Sequence, residues 1–362
     1  MTFPPLRPEL ADIEPYGAPQ LPHDQVPVQL NVNENPYGPS ARCIADIATA
    51  AAEAAATLNR YPDREFTALR TALADYLSRD APVTPEMVWA ANGSNEVMLQ
   101  LLQAFGGPGR TALSFAPTYS MYPEYARDTH TEWVAGTRED DFSLDLGKAR
   151  ALVEEVRPSV VLLPSPNNPT GTALPPEAIG LLCEAVGEGG LVVVDEAYGE
   201  FRRAGVPSAL ESLATYRNLV VTRTMSKAFA GAGLRLGYLA AHPAITDAIR
   251  VVRLPYHLSA VTQAVALAAL RHAPELLGKV DELRVERDRT VDWLREQGHE
   301  VAESDANYVL FGRFADRHAV WQGLLDRGVL IREVGPDGWL RVSIGTPAEM
   351  DAFKSALVEV TR

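Results

Sequence analysis

Between Met87 and Thr222 the chain alternates short apolar runs with helix-patterned stretches, and that alternation leaves few folds open. MVWAA (87–91), RTALSF (110–115), SVVLLP (159–164), LVVV (191–194) and NLVVT (218–222) have the length and branched composition of buried strands. NGSNE opens a helical stretch that runs to Phe105, and PPEAIGLLCEAV is a second helix lying between two of the strands. Strands that alternate with helices indicate βαβ units, so the expected fold is α/β with a mostly parallel central sheet flanked by helices. Upstream, Ala41–Leu58 is alanine-rich with few helix breakers. Glu65–Ser78 places Phe66, Leu69, Leu73 and Leu77 at helical spacing. After about residue 250 the pattern changes to a long charged helix, Pro274–Gln297, followed by the short strands ANYVLFG, GVLIREV and LRVSIG, which implies a smaller α+β domain. The first 30 or so residues are proline-dense and favour an extended arm. The expected division is an arm over 1–30, a large domain over 31–250 and a small domain over 251–362.

Charge narrows the partners. The 362 residues carry 47 acidic and 33 basic side chains, a formal net charge of −14, which argues against nucleic acid or an anionic membrane as the main partner. An anionic ligand then needs a local cluster of arginine, lysine and backbone N–H groups. With 46% hydrophobic and 22% charged residues, the chain has the material for a packed core. The two cysteines, Cys43 and Cys183, belong to no CxxC or Cys/His cluster, so neither zinc nor a disulfide framework is expected. MTFPPLRPELADIEPYG lacks the apolar segment of a signal peptide, and no stretch approaches the roughly 20 apolar residues of a membrane helix. A cytoplasmic protein is expected.

Several motifs carry chemistry at strand ends. NGSNE (Asn92–Glu96) sits where a strand gives way to a helix. Its free N–H groups and Gly93 would suit an anion, and Ser94 or Asn92 would equally serve as an ordinary cap. PSPNNPTG (164–171) is a rigid turn that presents Asn168. VVVDEAYGEF puts Asp195 at a strand's carboxyl end, where ligands of parallel sheets bind. The metal-binding strand of a phosphate-loop ATPase would need GxxxxGK[ST], which the chain lacks. GAGLRLG (231–237) has GxGxxxG rather than GxGxxG and does not directly follow a strand, which sets aside a dinucleotide fingerprint. TRTMSKAFAGAGLRLG (222–237) places Lys227 near two hydroxyls and small residues, with Arg235 eight positions on. Arg341 in LRVSIG and Arg332 in VLIREV lie on late strands. Together these are the parts of a pyridoxal 5'-phosphate site: a lysine amine for the aldehyde, a carboxylate for the pyridine nitrogen, donors for the phosphate and an arginine fork for a substrate anion.

The ordered set NPYG, RYPD, GSNE, PTYSMYP, NNPTG, DEAYGEF, TMSKAF, LRLGY and LRVSIGT resembles the fold-type-I pyridoxal-phosphate-dependent aminotransferases, over residues 30–350 or so. NENPYG (33–38) and RLPYHLS (253–259) are similar to the histidinol-phosphate branch of that family. The resemblance implies that residues 31–250 bind the cofactor. It implies that Lys227 is the Schiff-base lysine and proton carrier, Asp195 the pyridinium partner, and Asn168 and Tyr198 the contacts of the phenolic oxygen. By the same resemblance Tyr119 stacks on the ring, and Gly93, Ser94, Asn95, Thr224, Ser226 and Arg235 hold the phosphate. Tyr61 would reach the phosphate in a neighbouring subunit, so a homodimer with shared active sites is implied. Tyr37, Asn95, Tyr256, Arg332 and Arg341 would face the substrate. The implied reaction passes an amino group from histidinol phosphate to 2-oxoglutarate, in histidine biosynthesis. An aromatic amino acid aminotransferase of the same fold is the alternative. A cofactor-sensing regulator on this fold would carry a basic DNA-binding segment, for which the acidic balance gives no support.

Overall fold

Seven strands form one sheet in the order Val88–Ala91, Gly237–Ala241, Leu219–Thr224, Leu191–Asp195, Val160–Pro164, Thr111–Ala116, Glu132–Thr137. Neighbours are parallel except around Gly237–Ala241, which runs antiparallel to the strands on both sides. A parallel strand covered on both faces must be apolar along its whole length, and VVLLP and LVVVD are buried at every position. Helices Ser94–Phe105, Leu146–Val156 and Pro176–Val186 supply crossovers. The register sets Asp195 beside Pro164 on one neighbour and Thr222 on the other, so the carboxyl ends of these strands finish level. The computed structural model describes residues 4–7, 10–11, 13, 17, 21–22 and 26–362; much of the expected arm, residues 1–3, 8–9, 12, 14–16, 18–20 and 23–25, lies outside them.

The helices expected from composition are present with shifted ends. Ala41–Ala55 stops three residues short of Leu58 and is capped by the Ser40 side chain. The second begins at Thr67, because Phe66 takes a left-handed conformation with φ +39°. Its Leu69, Leu73 and Leu77 are buried. The long charged helix spans Ala273–Glu296. Ala41–Ala55 packs along Ala260–Arg271, which couples the first helix of the chain to its C-terminal third.

That C-terminal part holds a three-stranded antiparallel sheet with Tyr308–Gly312 between Leu340–Ser343 and Glu300–Val301. The short strand Val28–Gln29 pairs in parallel with Val329–Leu330. Leu30 then donates to the Leu330 carbonyl at 2.7 Å and accepts from the Ser343 amide at 2.9 Å. These bonds carry residues 31–35 across to the end of the large sheet. No helix among the described residues is long and apolar enough to cross a membrane.

Candidate active site

A cavity of about 220 Å3 opens at the carboxyl ends of the central strands. It gathers Ser94, Asn95, Tyr119, Asn168, Asp195, Tyr198, Thr224, Ser226, Lys227, Arg235, Arg332 and Arg341, twelve of the sixteen residues singled out from sequence. Asn31, Val32, Asn33 and Thr118, which the sequence did not mark, also line it.

One wall is an anion cradle. Helix Ser94–Phe105 starts from Gly93, at φ +86°, and no side chain caps its first turn. Asn92 is occupied elsewhere: its amide and side chain both donate to Glu96 Oε2, and its side chain also donates to the His257 carbonyl. No side chain therefore caps the first N–H groups, and Ser94 and Asn95 line the cavity, which favours the anion reading of NGSNE over the ordinary cap. Two glycines make room. A Cβ on Gly93 would lie 2.5 Å from Arg235 Nη2, and one on Gly237 would lie 2.1 Å from the Ser94 amide nitrogen. Arg235, itself left-handed at φ +55°, donates from Nη1 to Ser226 Oγ at 3.2 Å, and Thr224 Oγ1 donates to the same oxygen at 3.0 Å.

Across the cavity floor lies Asp195. Tyr122 donates to its Oδ2 at 3.0 Å, while Thr222 Oγ1 and the Ala197 amide donate to Oδ1, each at 3.1 Å. No lysine, arginine or histidine among the described residues forms an ion pair with it, and burial pushes its carboxyl pKa up despite these donors. A carboxylate kept buried with three donors and no cation is a site built for a cation that a ligand brings. A protonated pyridine is such a cation, and a phosphate suits the uncapped helix start beside Arg235. The residues present thus fit pyridoxal phosphate.

Lys227 stands at the other side. Its Nζ donates to the Val32 carbonyl at 2.8 Å and lies 5.9 Å from the centre of the Tyr198 ring. Burial, with Arg341 and Arg235 nearby, lowers its pKa to about 8; Glu34 opposes the shift. Asn33 is held in a left-handed conformation, φ +57°, by exchanging two hydrogen bonds with Ser343, and its side-chain amide donates to Tyr198 Oη at 3.0 Å. The segment 31–33 thus positions both the lysine and the tyrosine.

The remaining end is cationic. Arg341 Nη1 donates to Asn168 Oδ1 at 2.5 Å and Nη2 to the Asn31 carbonyl at 2.9 Å, and its guanidinium lies 5.1 Å from the centre of the Tyr308 ring. Arg341 is buried. Arg332 exchanges backbone hydrogen bonds with Arg341, and its Nη2 donates to the Gly17 carbonyl at 3.1 Å. Tyr119 meets Tyr122 edge-on at 5.5 Å.

The structure does not bring Tyr37, Tyr61 or Tyr256 into the cavity. Tyr61 and Tyr256 stack on each other at 4.4 Å on the surface. Tyr37 lies 5.0 Å from Lys279 Nζ at the start of the long helix. Gly93 sits just behind the lining, beneath Arg235. Tyr122 and Thr222, which hold Asp195, were not singled out from sequence. Thr222 is the one that strand register could have indicated, as the residue paired with Asp195.

Comparison with known proteins agrees with this geometry. Residues 26–357 match the family "Aminotransferase class I and II". A histidinol-phosphate aminotransferase of Thermobifida fusca is 63% identical over 357 residues, covering 99% of this chain and 95% of the relative. Histidinol-phosphate aminotransferase 3 of Burkholderia lata is 60% identical, covering 98% and 95%. Among solved structures, histidinol-phosphate aminotransferase from Sinorhizobium meliloti in complex with pyridoxal-5'-phosphate superposes with a TM-score of 0.81 at 26% identity, covering 93% of this chain and 91% of that one.

Proposed function

This chain belongs to the class I and II aminotransferases, pyridoxal-phosphate-dependent transferases, and from that premise we propose that it moves an amino group from L-histidinol phosphate to 2-oxoglutarate. The products are imidazole acetol phosphate and L-glutamate, and the cofactor is bound through Lys227. What supports the substrate most is full-length likeness: relatives at 55–63% identity across nearly the whole chain bear the histidinol-phosphate name.

When bound, pyridoxal phosphate supplies an aldehyde that takes up amines and a protonated ring that accepts electron density. The Asp195 carboxylate, fixed by Tyr122 and Thr222, would hold the proton of the ring nitrogen. The amides at Ser94 and Asn95, with Thr224, Ser226 and Arg235, would hold the phosphate. Asn168 and Tyr198 would serve the phenolic oxygen, and Tyr119 would contact the ring. Lys227 Nζ, with its pKa near 8, takes the α-proton and returns it, a general-base contribution of about 10²- to 10⁴-fold. Arg341 and Arg332 grip the substrate anion. One substrate carries a phosphate and the other carboxylates, and a guanidinium fork pairs with both. Asn95 lines that cavity, whereas Tyr37 and Tyr256 lie outside the cavity of their own chain. Tyr61 of a neighbouring subunit completes the phosphate grip, so the working unit is a homodimer with cofactor in residues 31–250 of each chain and residues 251–362 on the substrate side.

The test is a coupled assay on the purified holoenzyme with 2-oxoglutarate as acceptor. We expect kcat/KM for histidinol phosphate to exceed that for phenylalanine and tyrosine by at least about tenfold, a difference of about 1.4 kcal/mol. Lys227→Ala should fold and fall to background. Equal constants for phenylalanine would assign the aromatic amino acid reaction instead, and substantial turnover by Lys227→Ala would remove the lysine from the mechanism.

A further inference from the structure

Asn33 lines the catalytic cavity, is 2% exposed and takes a left-handed conformation, φ +57°. Asparagine tolerates that region better than most residues with a side chain, and glycine tolerates it better still. What glycine lacks is the side-chain amide, and the partners of that amide decide what Asn33 does.

Ser343 Oγ accepts from the Asn33 backbone N–H at 2.9 Å and donates to Asn33 Oδ1 at 2.9 Å, and Asn307 Nδ2 donates to the Asn33 carbonyl at 3.1 Å. Ser343 stands two residues after Arg341 on strand Leu340–Ser343, so both side chains leave the same face, toward residues 31–33. A hydroxyl has a single proton. With the N–H of Asn33 taken on a lone pair, that proton goes to Oδ1. The amide is thereby set with its oxygen toward Ser343 and its nitrogen toward Tyr198, 3.0 Å from Oη. The Tyr198 ring is itself held edge-on against Tyr308, with ring centres 4.9 Å apart.

We propose, on the cofactor reading above, that Asn33 is a positioning residue: it turns the Tyr198 hydroxyl proton toward the cofactor's phenolic oxygen and so lowers the pH at which the lysine-bound cofactor gives up its proton. A phenol oxygen that accepts on one side directs its own proton to another. In the bound cofactor the phenolic oxygen and the Lys227 nitrogen compete for one proton. A hydrogen bond from Tyr198 stabilises negative charge on that oxygen, so the proton leaves the nitrogen at lower pH. A site that rests deprotonated can take the proton an ammonium substrate must lose before its amine attacks. Without the Asn33 amide, the Tyr198 hydroxyl is free to turn and the stabilisation weakens.

The test titrates the visible absorbance of purified holoenzyme against pH, which reports this proton independently of turnover. Asn33→Gly keeps the left-handed backbone and removes the amide, and its midpoint should lie about 0.5–1 pH unit above wild type. Asn33→Asp has the same shape but only accepts from Tyr198. It should raise the midpoint at least as far, and it carries the test where the glycine variant does not fold. Asp195, Tyr308, Arg235, Arg341 and Glu34, which face the lysine and the tyrosine from neighbouring segments, are common to every variant. Tyr198→Phe should raise the midpoint too, and adding Asn33→Gly to it should move it by less than about 0.3 unit, because the path through the hydroxyl is already gone. A wild-type midpoint in the folded Asn33 variants, or the same shift with and without the Tyr198 hydroxyl, overturns the proposal and leaves the cofactor reading standing. A wild-type protein with no chromophore, or a wild-type midpoint in Tyr198→Phe, overturns that reading and the proposal with it.

Discussion

Lys227 and Asp195 occupy one cavity with opposite electrostatic problems. The lysine is a buried base whose pKa drops from the ordinary 10.5 to about 8, first because burial disfavours its ammonium form and next because Arg341 repels it. In the cofactor-free protein its acylation by an amine-selective reagent, followed by peptide mapping, should reach half its maximal rate near pH 8. Arg341→Met should move that midpoint upward, and a midpoint near 10.5 in the wild type would contradict the buried setting. The same shift fixes the sign of its stability term. Between about pH 8 and 10.5 the unfolded chain binds more protons at this site than the folded one, so this contribution to stability rises with pH across that window and its cost is greatest below about 8. Asp195 is instead a carboxylate awaiting a cation. Asp195→Asn should retain cofactor but lose activity by at least about 100-fold, because a neutral amide does not hold the ring proton; a wild-type rate constant would refute that role. Both residues were legible in sequence from their place beside strand ends. Tyr122 and Thr222 were not, since they reach Asp195 only across 73 and 27 positions of chain.

Elements decide how close these groups come. GAGLRLG reads poorly as a nucleotide fingerprint, and the structure gives its last glycine another purpose: strand Gly237–Ala241 enters the sheet against the start of helix Ser94–Phe105, with Gly237 packed on the Ser94 amide. A methyl at 237 would sit 2.1 Å from that nitrogen, and backbone on both sides cannot swing away. Gly237→Ala should therefore open the anion cradle, lower stability by about 1–3 kcal/mol and weaken cofactor affinity by at least about tenfold, as read by denaturant unfolding and by fluorescence titration. Unchanged affinity would mean that the cradle does not hold the phosphate. The strand itself was not visible from pattern, because its antiparallel insertion between two parallel-running neighbours depends on tertiary pairing. Glu132–Thr137 escaped for a different reason. It is the edge strand, with Glu132, Ala135 and Thr137 exposed, and EWVAGT offers no continuous apolar run. By contrast, Val160–Pro164 and Leu191–Asp195 are central and buried throughout, so hydrophobicity alone announced them.

At the scale of the whole molecule, the surface carries an apolar face that one chain leaves uncovered. Val251, Leu254 and Tyr61 are 84%, 73% and 81% exposed, and Leu58 and Tyr256 are exposed beside them. The two segments are locked together: Arg253 donates to the Arg64 carbonyl and Gln263 to that of Asp63, and Tyr61 stacks on Tyr256. Such a face is what the partner in the homodimer proposed above would cover, and in that pairing Tyr61 would serve the partner's cavity rather than its own. Complementation separates this arrangement from a merely structural dimer. Homodimers of Lys227→Ala and of Tyr61→Ala should each have low activity. After subunit exchange, a mixed dimer has one cavity with both lesions and one with neither, since the intact lysine of the Tyr61→Ala chain meets the intact tyrosine of the Lys227→Ala chain. Random pairing of equal amounts should restore about a quarter of the wild-type activity per chain. If Tyr61 serves its own chain, no mixed dimer contains an intact cavity, and activity stays at the mean of the two inactive parents.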